Sequence, residues 1–159
     1  MSAAAADRDG QRQPSVLVPY TGCSGYTYYK DTLLMHKAAG TGIAPLVSGA
    51  GASQAHFIGV GGNHVNLSAG LGTSQDIIGV YKTGEYTFAA NGTGASSHIG
   101  QIAYGLDDQT VGTSIAAPCL AVGEIVGIPT ASAYRVRIDN AVNAAFISAV
   151  GASWGFAQN

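Results

Sequence analysis

Charge is what this chain has least of. Only 10% of its residues are Asp, Glu, Lys or Arg, against about 25% in an average soluble domain. Seven Lys and Arg stand against nine Asp and Glu, for a net charge of −2. With no basic patch, nucleic-acid binding lacks its electrostatic footprint. Cysteine is also scarce. Cys23 and Cys119 lie far apart and in no zinc or redox spacing, which excludes a cysteine metal knuckle and a dense disulfide scaffold. Whether the two thiols pair with one another stays open at this level. Long apolar runs are missing: none approaches the roughly 18 to 20 residues of a membrane helix. The first 15 residues carry Asp7, Arg8, Asp9 and Arg12 where a secretory signal needs an apolar core. The expectation is a chain made in a cytoplasm, with Asn66-Leu67-Ser68 and Asn91-Gly92-Thr93 matching the glycosylation sequon by chance.

What the chain does have is glycine, 23 residues of it, and a hydrophobic content of 47%. That apolar content takes it out of the disordered class, and a length of 159 residues suits one domain with its own core. So few charges over so much apolar sequence mean a weakly charged surface. Interface cores are depleted in Lys, Glu and Asp, so the composition points to a component of an assembly.

Residues 1–15 are small and polar and read as a flexible arm. Pro14 and Pro19 bracket Ser15-Val16-Leu17-Val18. Proline at both ends argues against a helix and suits an extended segment, one able to add to the sheet edge of a neighbouring subunit. Short apolar runs separated by glycine follow, at 33–36, 44–47, 56–60, 77–81, 85–89, 99–104, 122–128 and 134–139. They are rich in Ile, Val and Tyr and read as strands. In Tyr81-Lys82-Thr83-Gly84-Glu85-Tyr86 the glycine between two such runs predicts a tight hairpin. Tyr134, Val136 and Ile138 alternate with Arg135, Arg137 and Asp139, the pattern of a strand with one wet face. Beyond residue 140, Val142, Phe146 and Val150 are spaced by four. They suit a short helix, or equally an extended tail anchored by Trp154 and Phe156. The expected fold is all-β, a small β-barrel or sandwich. It has an extended N-terminal arm over residues 1–19, a β-rich core over 20–139 and a short extension over 140–159.

Gly112-Thr113-Ser114-Ile115-Ala116-Ala117-Pro118 looks like the nucleophile segment of subtilisin-like proteases. The triad needs a histidine and an aspartate in company, and no His-Gly-Thr segment precedes Ser114. The β-branched run after it is poor helix. Thr113 and Ser114 read as a polar loop between strands. Gly59-Val60-Gly61-Gly62 and Gly49-Ala50-Gly51 lack the Lys-Ser/Thr of a phosphate loop. His36, His56, His64 and His98 have no ligand spacing, and Asp107-Asp108-Gln109 reads as a turn between Tyr104 and Val111. No catalytic residue, metal or cofactor is expected.

Several phrases recur in a known order. Ala39-Gly40-Thr41-Gly42-Ile43-Ala44 leads to Leu46-Val47, then His56-Phe57-Ile58-Gly59-Val60, then Ile77-Ile78-Gly79-Val80-Tyr81-Lys82-Thr83-Gly84-Glu85-Tyr86 as a glycine-turned hairpin. Gly100-Gln101-Ile102-Ala103-Tyr104 follows with Asp107-Asp108 and Thr110-Val111, and Val122-Gly123-Glu124-Ile125-Val126-Gly127 and Tyr134-Arg135-Val136-Arg137-Ile138 close the series. In order and spacing, residues 38–139 resemble the small capsid decoration (cement, or head-stabilising) proteins of tailed bacteriophages, while residues 1–37 and 140–159 exceed that family's common core. The resemblance implies a virion protein, made in the host cytoplasm, that binds the outer capsid surface, often as a homotrimer. It would clamp neighbouring major capsid subunits, without catalysis, cofactor, nucleic acid or membrane. The candidate contact residues are Val16, Leu17 and Val18 for strand addition, Tyr20, Tyr26, Tyr28 and Tyr29 as aromatic anchors, and Trp154 and Phe156. The tyrosines read equally well as partly buried in the barrel wall. A carbohydrate-binding or tail- or fibre-associated β module is the alternative.

Overall fold

The apolar runs fold as strands, as their β-branched and aromatic content dictates. The computed structural model describes residues 17–37, 42–48, 55–69, 77–114 and 119–139. In chain order the strands are β1 (Leu17–Thr21), β2 (Thr27–Tyr28), β3 (Leu33–His36), β4 (Ile43–Pro45), β5 (His56–Gly61) and β6 (Val65–Asn66). They continue with β7 (Ile77–Tyr81), β8 (Gly84–Ala90), β9 (Ile102–Gly105), β10 (Thr110–Gly112), β11 (Leu120–Thr130) and β12 (Ala133–Ile138). A single turn of 3-10 helix, Ser96–His98, is the only helical piece among the described residues. Val16, Trp154, Phe156 and the candidate helix beyond 140 lie outside them.

The strands form a closed barrel in the order β10-β8-β12-β11-β9, a five-stranded sheet in the order β1-β7-β5-β3-β4, and a small ribbon of β2 with β6. Within the barrel and the sheet all pairings are antiparallel except β10 with β8. The sheet nearly closes as well, because Gly22, just past β1, makes a parallel bridge to Ile43 of β4.

One apolar core runs from the barrel into the sheet. Tyr86, Phe88, Ala103, Val111, Val122, Ile125, Tyr134, Val136 and Ile138 fill the barrel, and Leu33, Leu46 and Val60 of the sheet half join the same cluster. Leu34, Ile78 and Val80 face the other way, into a second cluster with Tyr28, Ile43 and Leu67. Covering on both faces explains why Leu33-Leu34-Met35 is solidly apolar instead of alternating. On β12 one face is wet, and the alternation is clean: Tyr134, Val136 and Ile138 are buried while Arg137 is exposed.

Two expectations are corrected. Residues 77–90 make no hairpin. β7 pairs with β1 and β5, whereas β8 pairs with β12 and β10, so Lys82-Thr83 carries the chain from the sheet into the barrel. Gly84 does have φ +140, and a side chain there would strike the Tyr86 ring at 2.9 Å. The glycine serves a crossover and not a turn.

The second correction concerns the arm. The boundary at residue 19 falls inside β1, and Leu17 and Val18 pair with Tyr81 and Val80 of their own chain. Nor is the outer edge of β1 a good template. Gly79 spends its N–H on Asn63 Oδ1 and its C=O on Gly62 N–H, each at 2.8 Å. Its neighbour Pro19 therefore makes no ladder bond to it and turns a nitrogen without hydrogen to the open edge. A strand arriving from outside finds no donor at the middle of β1.

Removal of residues through Thr21 takes away β1 and, compared with removal of residues 1–16 alone, should lower the melting temperature by at least about 5 °C, as a loss of a few kcal/mol does in a domain of this size; calorimetry of the two truncations reads the difference. A Cβ at Gly123, where β11 bulges, would collide with the Arg137 carbonyl. Gly123→Ala should cost about 1–3 kcal/mol by overpacking, read from urea unfolding.

Candidate functional site

Among the described residues the barrel has one end packed on the sheet and one end uncovered. On the packed side the Leu106–Gln109 turn docks against β3, with Leu33 N–H donating to Asp108 O at 2.7 Å. On the free side three segments meet: residues 91–101 between β8 and β9, the β11–β12 turn at Ala131-Ser132, and Thr113-Ser114 after β10. None of these residues is charged, and neither is any from Val126 to Tyr134. The charges of the barrel strands lie elsewhere on its wall: Arg137 reaches Glu85 Oε1 at 3.1 Å, across neighbouring strands.

The long segment 91–101 is clamped by its backbone. Asn91 N–H donates to Val111 O at 2.8 Å, Gly94 N–H to Ala131 O at 2.7 Å and Gly100 N–H to Ile125 O at 2.8 Å, while Ile125 N–H returns a bond to Gln101 O at 2.9 Å. In the 3-10 turn His98 N–H donates to Ala95 O at 2.8 Å, and Ala95 N–H donates back to His98 Nδ1 at 3.3 Å. Nδ1 is thus an acceptor and the ring proton sits on Nε2. The Tyr134 hydroxyl, 2.7 Å from Nδ1, donates to it, with the two rings edge to face at 5.7 Å. Tyr134 is otherwise a barrel-core residue, so the core itself holds the rim. The next residue, Ile99, is 52% exposed: an apolar side chain on an ordered backbone in an uncharged surface. These features suit a protein contact.

The expected contact residues gather on the sheet half, away from this rim. Leu17 is 50% exposed, with its side chain over Gly62 and Gly79, where Cβ atoms would meet it at 2.5 Å and 2.9 Å. Val18 is half-buried. Tyr20 and Tyr26 pack on the second core cluster, and each carries a lysine. Lys82 Nζ donates to Tyr20 Oη at 3.1 Å and Lys37 Nζ to Tyr26 Oη at 3.0 Å, each about 5.1 Å from its ring centroid. The bond to Tyr26 holds the Lys37 ammonium above the ordinary lysine value. Tyr29 lies against His64 with centroids 5.0 Å apart.

Tyr28 is corrected. It is fully buried and unavailable to a partner. Its hydroxyl donates to Ile43 O at 2.6 Å and lies 3.0 Å from Cys23 O, pinning the place where the sheet curls back on itself. Burial pushes this phenol well above the ordinary tyrosine range.

Ser114 is exposed just past β10. The histidines are dispersed: His36 faces His56 across β3 and β5, His64 is on Tyr29 and His98 on Tyr134. Among the described residues no group of three His, Cys, Asp or Glu is placed to hold a metal ion, and no disulfide joins Cys23 to Cys119. Sequence reasoning missed His98 and Ile99 because Ile99 reads as the start of the strand 99–104. The absence of charge over 91–101 was the available signal.

No protein-family model matches the chain, and no curated protein or solved structure matches it.

Tyr134→Phe removes the donor to His98 Nδ1 and should cost about 0.5–1.5 kcal/mol, with faster amide exchange over 95–101 while the barrel strands stay protected. Tyr28→Phe should cost about 1–3 kcal/mol, since buried carbonyls lose a donor. The raised phenol values of Tyr28, Tyr104 and Tyr134, all from burial first, have a common consequence. The unfolded chain ionises near pH 10 and the folded one later, so stability is intact below about pH 10 and falls above it. Urea midpoints from pH 8 to 11 read this slope, and Tyr28→Phe should make it shallower.

Proposed function

We propose that the protein is a structural virion component that binds the outer surface of a bacteriophage capsid and stabilises it by clamping neighbouring major capsid subunits. The observation that carries this reading is the uncharged rim, an ordered surface held rigid by the core through Tyr134 and His98. Desolvating such a surface costs little, because no charge must be stripped of water. A rigid backbone also limits the ordering entropy lost on binding. The resemblance to decoration proteins supports the same reading in part: its phrases at 56–60, 122–127 and 134–138 fall on β5, β11 and β12, whereas the hairpin it implies over 77–86 does not form. A homotrimer follows from that resemblance, and contacts repeated by symmetry would supply avidity beyond any single one.

Sugar binding gains no support from the tyrosines. Tyr28 is fully buried, and Tyr20 and Tyr26 are half-buried against the second core cluster with their hydroxyls already bonded to Lys82 and Lys37.

The test is co-sedimentation with capsids of the source phage prepared without the protein, together with its mass by light scattering. Attachment in multiples of three supports decoration; a monomer that ignores the shells overturns it. Ile99→Asp, with its melting temperature unchanged, should weaken attachment about tenfold, equivalent to about 1.4 kcal/mol. Wild-type attachment by that variant would remove the rim from the contact.

A further inference from the structure

We infer that Asn91-Gly92 is a spontaneous modification site at which this rim acquires a negative charge with age. Three asparagines lie among the described residues, and two have their amides engaged. Asn63 accepts from Gly79 N–H at 2.8 Å and donates to Ile77 O at 3.5 Å. Asn66 Oδ1 accepts from Ser68 N–H at 3.0 Å, Ser68 Oγ at 2.6 Å and Thr27 Oγ1 at 3.2 Å. Asn91 differs in its amide. Its side chain makes no hydrogen bond to the described residues, and neither does the Gly92 N–H. Both residues are exposed. Gly92 has φ +99 with nothing within 4 Å of where a Cβ would stand. Among the described residues it is also the one asparagine followed by glycine, the residue whose missing Cβ leaves its nitrogen least shielded and its backbone freest.

The chemistry needs no added reagent except water. The Gly92 nitrogen gives up its proton to solvent base and bonds to Asn91 Cγ. The Cγ–Nδ2 bond breaks and Nδ2, taking up a proton, leaves as ammonia. Water then opens the five-membered succinimide at either carbonyl, giving aspartate or isoaspartate in place of the amide. No oxidation or reduction occurs. Because the attacking form is the deprotonated amide nitrogen, the rate rises with pH. The fixed ends of the segment do not oppose ring closure, since Asn91 is held through its own N–H to Val111 O, a group the reaction does not use.

The product places a carboxylate among residues 91–101, where there is none. If the rim docks as proposed above, a buried unpaired carboxylate would oppose docking; that consequence rests on the proposed function, whereas the modification does not.

The experiment incubates the full chain at 37 °C and at pH 7 and pH 9, and follows the peptides containing Asn63, Asn66 and Asn91 by mass spectrometry. A synthetic peptide of residues 88–96 runs in parallel. The expected result is conversion at Asn91, faster at pH 9, at a rate close to that of the free peptide, with isoaspartate in the product and Asn63 and Asn66 unchanged. Asn91→Gln, whose longer side chain cannot close the same ring, should show no conversion at that position. An Asn91 amide that persists in the folded chain while the peptide converts would overturn the inference. Conversion of Asn63 or Asn66 at the same rate would overturn it too. Sedimentation of the aged protein with capsids is a separate measurement, so failure of docking and failure of the modification are distinguishable.

Discussion

The parallel pairing of β10 with β8 closes the barrel over two residue pairs, Thr110 with Ala89 and Val111 with Ala90, with Asn91 N–H donating to Val111 O just beyond. An open sheet of these strands would expose two rows of unpaired backbone groups, whereas a closed one exposes none. Closure is also what gives Tyr86, Phe88, Val111 and Ile138 an interior to occupy. The sheet half meets the same constraint in a weaker form. Its ends approach at the Gly22–Ile43 bridge, where Cys23 N–H donates to Ile43 O at 2.9 Å and the buried Tyr28 hydroxyl reaches the same oxygen at 2.6 Å. In each half antiparallel strands curl until a short parallel seam joins their edges.

The seams also place the surfaces. The barrel is capped on one side by the sheet, through Leu33, Leu46 and Val60, so among the described residues its other end is the uncovered one. That end carries the uncharged segments, and the charged groups fall on the wall, where the exposed Glu85–Arg137 pair contributes little to stability but keeps the wall hydrated. The division between a wet wall and a neutral rim follows from which loops the topology gathers at one end. It supports a binding role for that end, and Asn91 is the one place within it where ordinary amide chemistry can introduce charge.

Much of this was legible in the residues. The alternation from Tyr134 to Asp139 exposes β12 directly, since a half-buried strand must alternate. The apolar runs at 56–60, 77–81 and 122–128 became β5, β7 and β11 because β-branched side chains at that length suit little else. The turn at Asp107-Asp108 joins β9 to β10 where the short polar residues mark it. The hairpin at Gly84 was misread because a positive φ marks a change of direction without naming the strands on either side. The tyrosines from Tyr20 to Tyr28 were ambiguous for a related reason: Tyr20, Tyr26 and Tyr28 are the same residue type nearby in sequence, yet one is fully buried and two are half-buried with hydroxyls that accept from lysines.

The sequence by itself determined the class. Its short apolar runs, its glycines and its lack of charge admit an all-β chain with little surface for charged ligands, because period and propensity act within a few neighbouring residues. Only the tertiary structure decided which strands close the barrel, that Leu17–Thr21 belongs to its own sheet, and that His98 and Ile99 are held out on the rim by Tyr134, a residue 36 positions away from His98. Those outcomes depend on pairings between distant segments, and the partner of a strand is chosen by the closure of the whole sheet and not by the strand's own residues.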